Sequence, residues 1–256
     1  MGPGVAADRS AGIAPAELAA LLDWWKLAGA DVRVHDTPEP WLRARPEAAQ
    51  PEPAHPQPAG PTSAPHRRVA APAADEWAGI ATLADLVAAV RAANPALAFA
   101  DGDPQSGLML LGESPSAEDL RSGRPFSGPA GLFLDRMLAA IGLDRRTCYI
   151  ALLCPRRRIP GPPTPEDIEA DLALTRAHIR LARPRHLLLL GANPVRALTG
   201  ESAPISRLRG RWLSTDVGDG PVPALASFNP AYLLRRPEEK AAAWSDLLAL
   251  RQRITP

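Results

Sequence analysis

Leu108-Met109-Leu110-Leu111 runs straight into GESPSAEDLRSGRPFSGPAG, residues Gly112 to Gly131. A short apolar run that ends in glycine reads as a buried strand opening into a loop. Glu113 falls just past the strand end, where open α/β sheets place their ligands, so a carboxylate there reaches into the crevice. Phe126 stands between Pro125 and Ser127, in a segment too rich in glycine to be a helix. An aromatic ring held on such a loop offers its face to a planar ligand. The loop glycines leave backbone amides uncovered, and such amides bind an oxyanion or a phosphate.

Working outward, Cys148 to Leu153 reads as a second buried strand, Arg185 to Gly191 as a third and Pro223 to Phe228 as a fourth. Between them lie helical patterns. Leu132 to Ile141 is amphipathic with Gly142 as its stop. Thr164 caps a long helix with Pro165 at its first position and Asp167 at its third. Asn193 to Leu198 is a short helix, and Glu238 to Gln252 closes the chain. Ahead of the first strand, residues 82–93 form a short helix with a Thr cap, and Ala100 to Pro104 form a turn. Strands that alternate with helices predict a three-layer α/β/α sandwich with a central, mainly parallel four-stranded sheet.

The chain has 256 residues and nearly balanced charge, with 29 Lys and Arg against 28 Asp and Glu. Whole-chain charge supplies no phosphate-neutralising excess, so any nucleic-acid contact has to come from a local basic face. The two cysteines, Cys148 and Cys154, do not suggest a secreted disulfide scaffold. No signal-peptide pattern and no long apolar run is present, which predicts a cytoplasmic protein without membrane contact. Residues 1–35 hold one helical pattern, from Pro15 to Ala28, with Leu18, Leu21, Leu22 and Trp25 on a stripe. Residues 36–78 read as a proline- and alanine-rich disordered linker whose only large apolar residues up to Asp75 are Trp41, Leu42 and Val69. It is either a plain tether or an arm that binds an unknown partner. The folded domain is expected over 79–256.

The pattern Gly-Glu-x-Pro with Glu118-Asp119, then Gly-Arg-Pro-Phe-x-Gly and Ala-Gly before a Leu-rich helix, resembles the first motif of the uracil-DNA glycosylase superfamily. The similarity is greatest to the iron-sulfur type, family four, and it extends from about Phe99 to Arg253. It implies DNA as partner, a protein acting as a monomer, and hydrolytic removal of a damaged base. A glycosylase flips its nucleotide out of the stack, reads the Watson-Crick edge and stacks the base on an aromatic ring. The resemblance gives the stacking role to Phe126 and the water-placing role to Glu113, whose alternative is a loop carboxylate bound to backbone amides. The uracil-reading asparagine of the family falls where this chain has Leu152, after Ala151. Leucine cannot both donate to and accept from a pyrimidine edge. Base recognition is then left to backbone near Gly112 and Ser114 and to the shape set by Phe126.

The family writes a histidine after its fourth strand, and here Asn229 stands there. Its amide can donate to an oxyanion developing on the base, although it is also an ordinary turn-former before Pro230. Tyr232, Leu233 and Leu234 are expected to form the wedge that fills the vacated stack, with Arg235 and Arg236 on the phosphates. Arg156, Arg157 and Arg158 form a second basic cluster. Arg207, Arg209 and Arg211 form a third, alternating over Ile205 to Trp212 as on one face of an extended strand. The resemblance also implies a 4Fe-4S cluster with four cysteine ligands. Two of them would precede the first strand, where this chain has none, and the others would fall near Cys154 and near Asp171. At most one thiolate survives, so no cluster and no other metal is expected. Two readings follow: a base-excision hydrolase using Glu113, Phe126 and Asn229, or a DNA-binding descendant of weak or lost activity. A nucleotide-binding Rossmann enzyme is disfavoured, since no GxGxxG follows the first strand.

Overall fold

The computed structural model describes residues 77, 79–94, 97–156 and 162–254. Of the expected N-terminal helix and the 36–78 linker only Trp77 is described, and it is buried in the fold rather than part of a disordered tether; Arg157 and Arg158 lie outside the described residues. Along the chain run α1 (Leu83–Ala93), β1 (Ala100–Gly102), β2 (Leu108–Gly112), α2 (Ala117–Ser122), α3 (Pro129–Ala140), β3 (Tyr149–Leu152) and α4 (Pro165–Ala182). These are followed by β4 (His186–Leu190), α5 (Ala192–Thr199), α6 (Ile205–Leu208), β5 (Trp212–Asp216), β6 (Pro221–Ser227), α7 (Pro230–Arg235) and α8 (Lys240–Ile254).

The sheet has six strands in the order β1-β3-β2-β4-β6-β5. Its inner strands β3, β2, β4 and β6 are the expected ones, and they pair in parallel. Two antiparallel edge strands were not expected. The segment at Ala100 to Gly102, anticipated as a turn, pairs with β3. The alternating-arginine segment forms no strand over 205–211: Ile205–Leu208 is a helix, and β5 begins only at Trp212, where it pairs with β6.

Period-two alternation divides the apolar strand residues between the two faces. Leu108, Leu110, Ile150, Leu152, Leu188, Leu190 and Leu225 pack on one face with Phe133, Leu134 and Met137 of α3 and Leu247 and Leu250 of α8. Met109, Leu111, Ala151, Leu153, Leu187 and Leu189 pack on the other with Ile179 of α4 and Val195 and Leu198 of α5. A satellite cluster of Trp77, Leu86, Val90, Phe99 and Leu174 fixes α1 to α4. The caps form as expected. Thr82 Oγ1 accepts from Asp85 N at 3.1 Å, and Thr164 with Asp167 closes a capping box at the head of α4. Such caps are each worth about 1 kcal/mol. Among the described residues, no helix is long and apolar enough to cross a membrane.

Candidate active site

All four inner strands end at one edge, and the residues that follow them converge there. The loop after β2 contains an unexpected helix, α2, because Ser116 and Asp119 form a reciprocal capping box. Asp119 is 3 % exposed and does more than cap. Its Oδ1 accepts from Ser127 N at 2.6 Å, while Oδ2 accepts from Ser116 N at 3.0 Å. Arg145, brought in from the α3–β3 connection, binds the same loop. It donates to Phe126 O at 2.5 Å and Pro125 O at 3.1 Å, and it is itself held by Asp101 and Asp135, each at 2.7 Å. Phe126 is thereby fixed at φ 53, a left-handed conformation that a bulky residue rarely adopts.

Phe126 packs on the end of β2. A Cβ on Gly112 would lie 2.6 Å from Phe126 Cζ and 3.0 Å from Leu152 Cδ2, so only glycine lets ring and leucine meet there. Leu152 is also the register partner of Gly112 across the β2–β3 pair. Both side chains are buried, Phe126 at 7 % and Leu152 at 2 % exposure, and both belong to the core cluster on that face. The ring therefore presents little open face, because Leu152 fills the space beside it.

On the other side of the strand end, Glu113 is half-buried and accepts a hydrogen bond from Asn193 N, in the first turn of α5. A helix start lacking its own side-chain cap gains an acceptor there. The same carboxylate leans on the β4–α5 turn: a Cβ on Gly191 would stand 2.8 Å from Glu113 Oε1 and 3.5 Å from Asn229 Cβ. Burial pushes the Glu113 carboxyl above its ordinary range, opposed by the Asn193 amide and the positive charge of Arg235. Gly191 and Asn193 were not anticipated as site residues. Their signal was the apolar run of β4 ending in glycine before a helix, the same arrangement that marked Glu113. Ser114 follows Glu113 in the turn, half-buried.

Asn229 caps α7. Its Oδ1 accepts from Ala231 N at 2.8 Å, and Nδ2 makes only a long 3.4 Å contact to Leu190 O. Beyond it, the expected wedge divides. Leu233 has no exposed surface and belongs to the core, which removes it from any contact with DNA. Tyr232 stacks on Phe228 with centroids 5.2 Å apart. Leu234, 42 % exposed, is the apolar side chain of the trio that faces outward. Arg235 and Arg236 are exposed, Arg236 sharing a surface ion pair with Glu238 at 3.3 Å.

The other basic residues do not behave as one group. Arg207 is exposed beside the end of β6. Arg209 instead turns inward to Asp246, which has no exposed surface and also accepts from Ser227 Oγ at 2.8 Å. Arg156 is bound to Asp171 and to Ala170 O. These two arginines were expected on phosphates, but buried carboxylates hold them in internal ion pairs.

The resemblance to an iron-sulfur branch can be tested on the donor set, and the residues do not fit a cluster. The chain contains two cysteines. Cys148 and Cys154 flank β3, roughly 20 Å apart at the rise of an extended strand. Cys148 donates its Sγ proton to Asp144 O at 3.2 Å, and burial pushes its thiol up to about 12. Among the described residues, no group of three or more His, Cys, Asp or Glu side chains is placed to hold a metal ion.

A mainly parallel α/β sandwich that gathers a carboxylate, an aromatic ring, an asparagine and a cationic helix end at the carboxyl edge of its strands defines a ligand-binding protein of the open-sheet class. Residues 99–248 match the family model of the Uracil DNA glycosylase superfamily. The chain belongs to that superfamily. It is 31 % identical over 153 residues to the type-4 uracil-DNA glycosylase of Archaeoglobus fulgidus, covering 57 % of this chain and 75 % of the relative. It is 31 % identical over 140 residues to that of Thermotoga maritima, covering 53 % and 70 %, and 29 % identical over 153 residues to that of Pyrobaculum aerophilum, covering 57 % and 78 %.

Proposed function

We propose that the protein is a DNA N-glycosylase of base-excision repair, acting in the cytoplasm as a monomer, with weak activity on uracil. The observation that carries this reading is Glu113, a carboxylate at the tip of β2 held between the Asn193 amide and the Arg235 charge. In this reading Glu113 orients a water. The water oxygen attacks C1′ of the flipped nucleotide and gives its proton to the Glu113 carboxylate, the bond from C1′ to the base nitrogen breaks, and the bonding pair leaves with the base. Asn229 Nδ2, held only by its long contact to Leu190 O, turns to donate to the oxyanion that develops on the base. One such donor is worth about 3 kcal/mol of transition-state stabilisation. Asparagine supplies no proton, so the leaving base is neutralised by solvent. Arg235, Arg236 and Arg207 face the phosphates, and Leu234 enters the vacated stack.

A second reading, a DNA-binding protein without efficient chemistry, is favoured by the packing of Leu152 beside Phe126 and by the use of Asn229 Oδ1 as a helix cap. The two separate in a cleavage assay on uracil-, hypoxanthine- and xanthine-containing duplexes. The glycosylase reading expects slow native release of base that Glu113→Gln abolishes and that Leu152→Asn with Asn229→His accelerates on uracil by at least tenfold, about 1.4 kcal/mol. Native turnover unaffected by Glu113→Gln, or no turnover on any substrate in native and doubly substituted protein alike, rejects it.

A further inference from the structure

The exit of β3, Leu153 to Arg156, is fastened on two sides. Toward β2, Leu153 N donates to Gly112 O at 2.9 Å and Cys154 N to Glu113 O at 2.8 Å. Toward α4, Thr175 Oγ1 donates to Leu153 O at 2.8 Å. Arg156 completes the attachment to α4: Nε donates to Asp171 Oδ1, Nη2 donates to Ala170 O, and the backbone N reaches Asp171 Oδ2 at 3.3 Å. The Asp171 side chain is 4 % exposed and that of Arg156 26 %, so the pair is largely withdrawn from water and its attraction is little screened.

The positions that the iron-sulfur resemblance would use for a third and a fourth ligand are the ends of this same connection, near Cys154 and Asp171. A metal cluster there would join the β3 exit to α4. We propose that the Arg156–Asp171 ion pair, backed by Thr175, makes that join in this protein without iron, and that Arg156 and Asp171 are positioning residues for Glu113. The route is short. Asp171 and Thr175 hold Arg156 and Leu153, and the chain between those two gives the amide of Cys154 to the carbonyl of Glu113. A displaced β3 exit removes a hydrogen bond from the backbone of the residue whose carboxylate faces the site. The functional consequence rests on the reading of Glu113 given above. The mechanical claim does not, and it is tested without any measurement of activity.

The test is hydrogen exchange of the full chain, followed at the amides of Leu153 and Cys154, with iron and acid-labile sulfide measured on protein purified without oxygen. Arg156→Ala leaves the Asp171 carboxylate buried and unpaired, and exchange at these two amides should accelerate on the order of 100-fold. The β4 amides should stay as protected as in the native chain, which a general loss of stability would not allow. Should Arg156→Ala fail to fold, Arg156→Ala with Asp171→Leu removes the stranded charge and keeps the core filled. In that variant the two amides should exchange roughly tenfold faster than native, because the join is absent while the fold persists. Unchanged exchange at Leu153 and Cys154 in a folded variant overturns the proposal. So does stoichiometric iron and sulfide in the native chain.

Discussion

Gly131→Ala should destabilise the protein, although a glycine-to-alanine change inside a helix ordinarily stabilises it by up to about 1 kcal/mol, because α3 approaches the Phe126 loop without space for one extra carbon. A Cβ on Gly131 would lie 1.6 Å from Phe126 O and 2.3 Å from Phe126 C, where real contacts essentially never fall under 3.0 Å. The carbonyl has to retreat by about 1.4 Å, the difference between 3.0 and 1.6 Å. That carbonyl is the acceptor of the 2.5 Å bond from Arg145, and the next amide is bound to Asp119 at 2.6 Å. Losing a hydrogen bond to a charged group costs about 1.5–3 kcal/mol. Overpacking adds about 1–3 kcal/mol. A destabilisation of about 4 kcal/mol follows, and with a urea m-value of about 2 kcal/mol/M the midpoint should fall by about 2 M at unchanged m. Gly79→Ala is the control, since nothing lies within 4 Å of a Cβ placed there. A midpoint for Gly131→Ala within about 0.5 M of that control would refute the clash and with it the claim that the Phe126 loop is rigidly held.

Glu113→Gln should stabilise the protein near pH 8 by on the order of 1 kcal/mol, because burial raises the carboxyl and its charged form is disfavoured in the fold. A group raised on folding contributes stability at low pH that is lost as pH rises through its folded value. The advantage of the glutamine should therefore shrink as pH falls and vanish below the ordinary glutamate value of about 4.3, as thermal melts at several pH values will register. For DNA binding, Arg235→Ala with Arg236→Ala should lower the slope of log K against log salt by up to about two units, read from fluorescence anisotropy titrations. An unchanged slope takes both residues out of the interface.

The inner sheet was legible because burial on both faces writes itself as uninterrupted apolar runs: Leu108 to Leu111 and Leu187 to Leu190 can hardly be anything else. The caps at Thr82 and Thr164 were legible for the same local reason. What escaped was short or distant. β1 is three residues of Ala, Asp and Gly, an edge strand with no apolar signature, recognisable only once β3 is beside it. The helix α2 was hidden by the glycines around it, although Ser116 and Asp119 announce a capping box. Arg209 alternated with Arg207 and Arg211 as exposed arginines do, and its true partner, Asp246, is 37 residues further on. Arg145 serves Asp101 across 44 residues and Phe126 across 19, and no local pattern records either bond. Local sequence thus placed the groups at the strand ends, whereas the ion pairs that hold them depend on the assembled fold.

Those ion pairs bear on how the two departures from the superfamily pattern should be understood. Leu152 closes the space between Phe126 and Gly112 with an apolar side chain that asks for no partner, and Asn229 spends its carbonyl oxygen on the α7 cap. Each substitution is satisfied within the protein when no ligand is bound. An asparagine at position 152, at 2 % exposure, would bring a buried amide that costs about 1–3 kcal/mol unless something pairs with it, and a base edge is such a partner. A site that reads a base therefore carries strain which its ligand relieves. The site keeps a strained φ at Phe126 that Arg145 and Asp119 hold, and a carboxyl at Glu113 that burial raises against the opposing Asn193 amide and Arg235 charge. Strain at Phe126 beside relaxed packing at Leu152 is what the proposed glycosylase reading expects, since a site of that kind would handle a flipped nucleotide with a loosened choice of base.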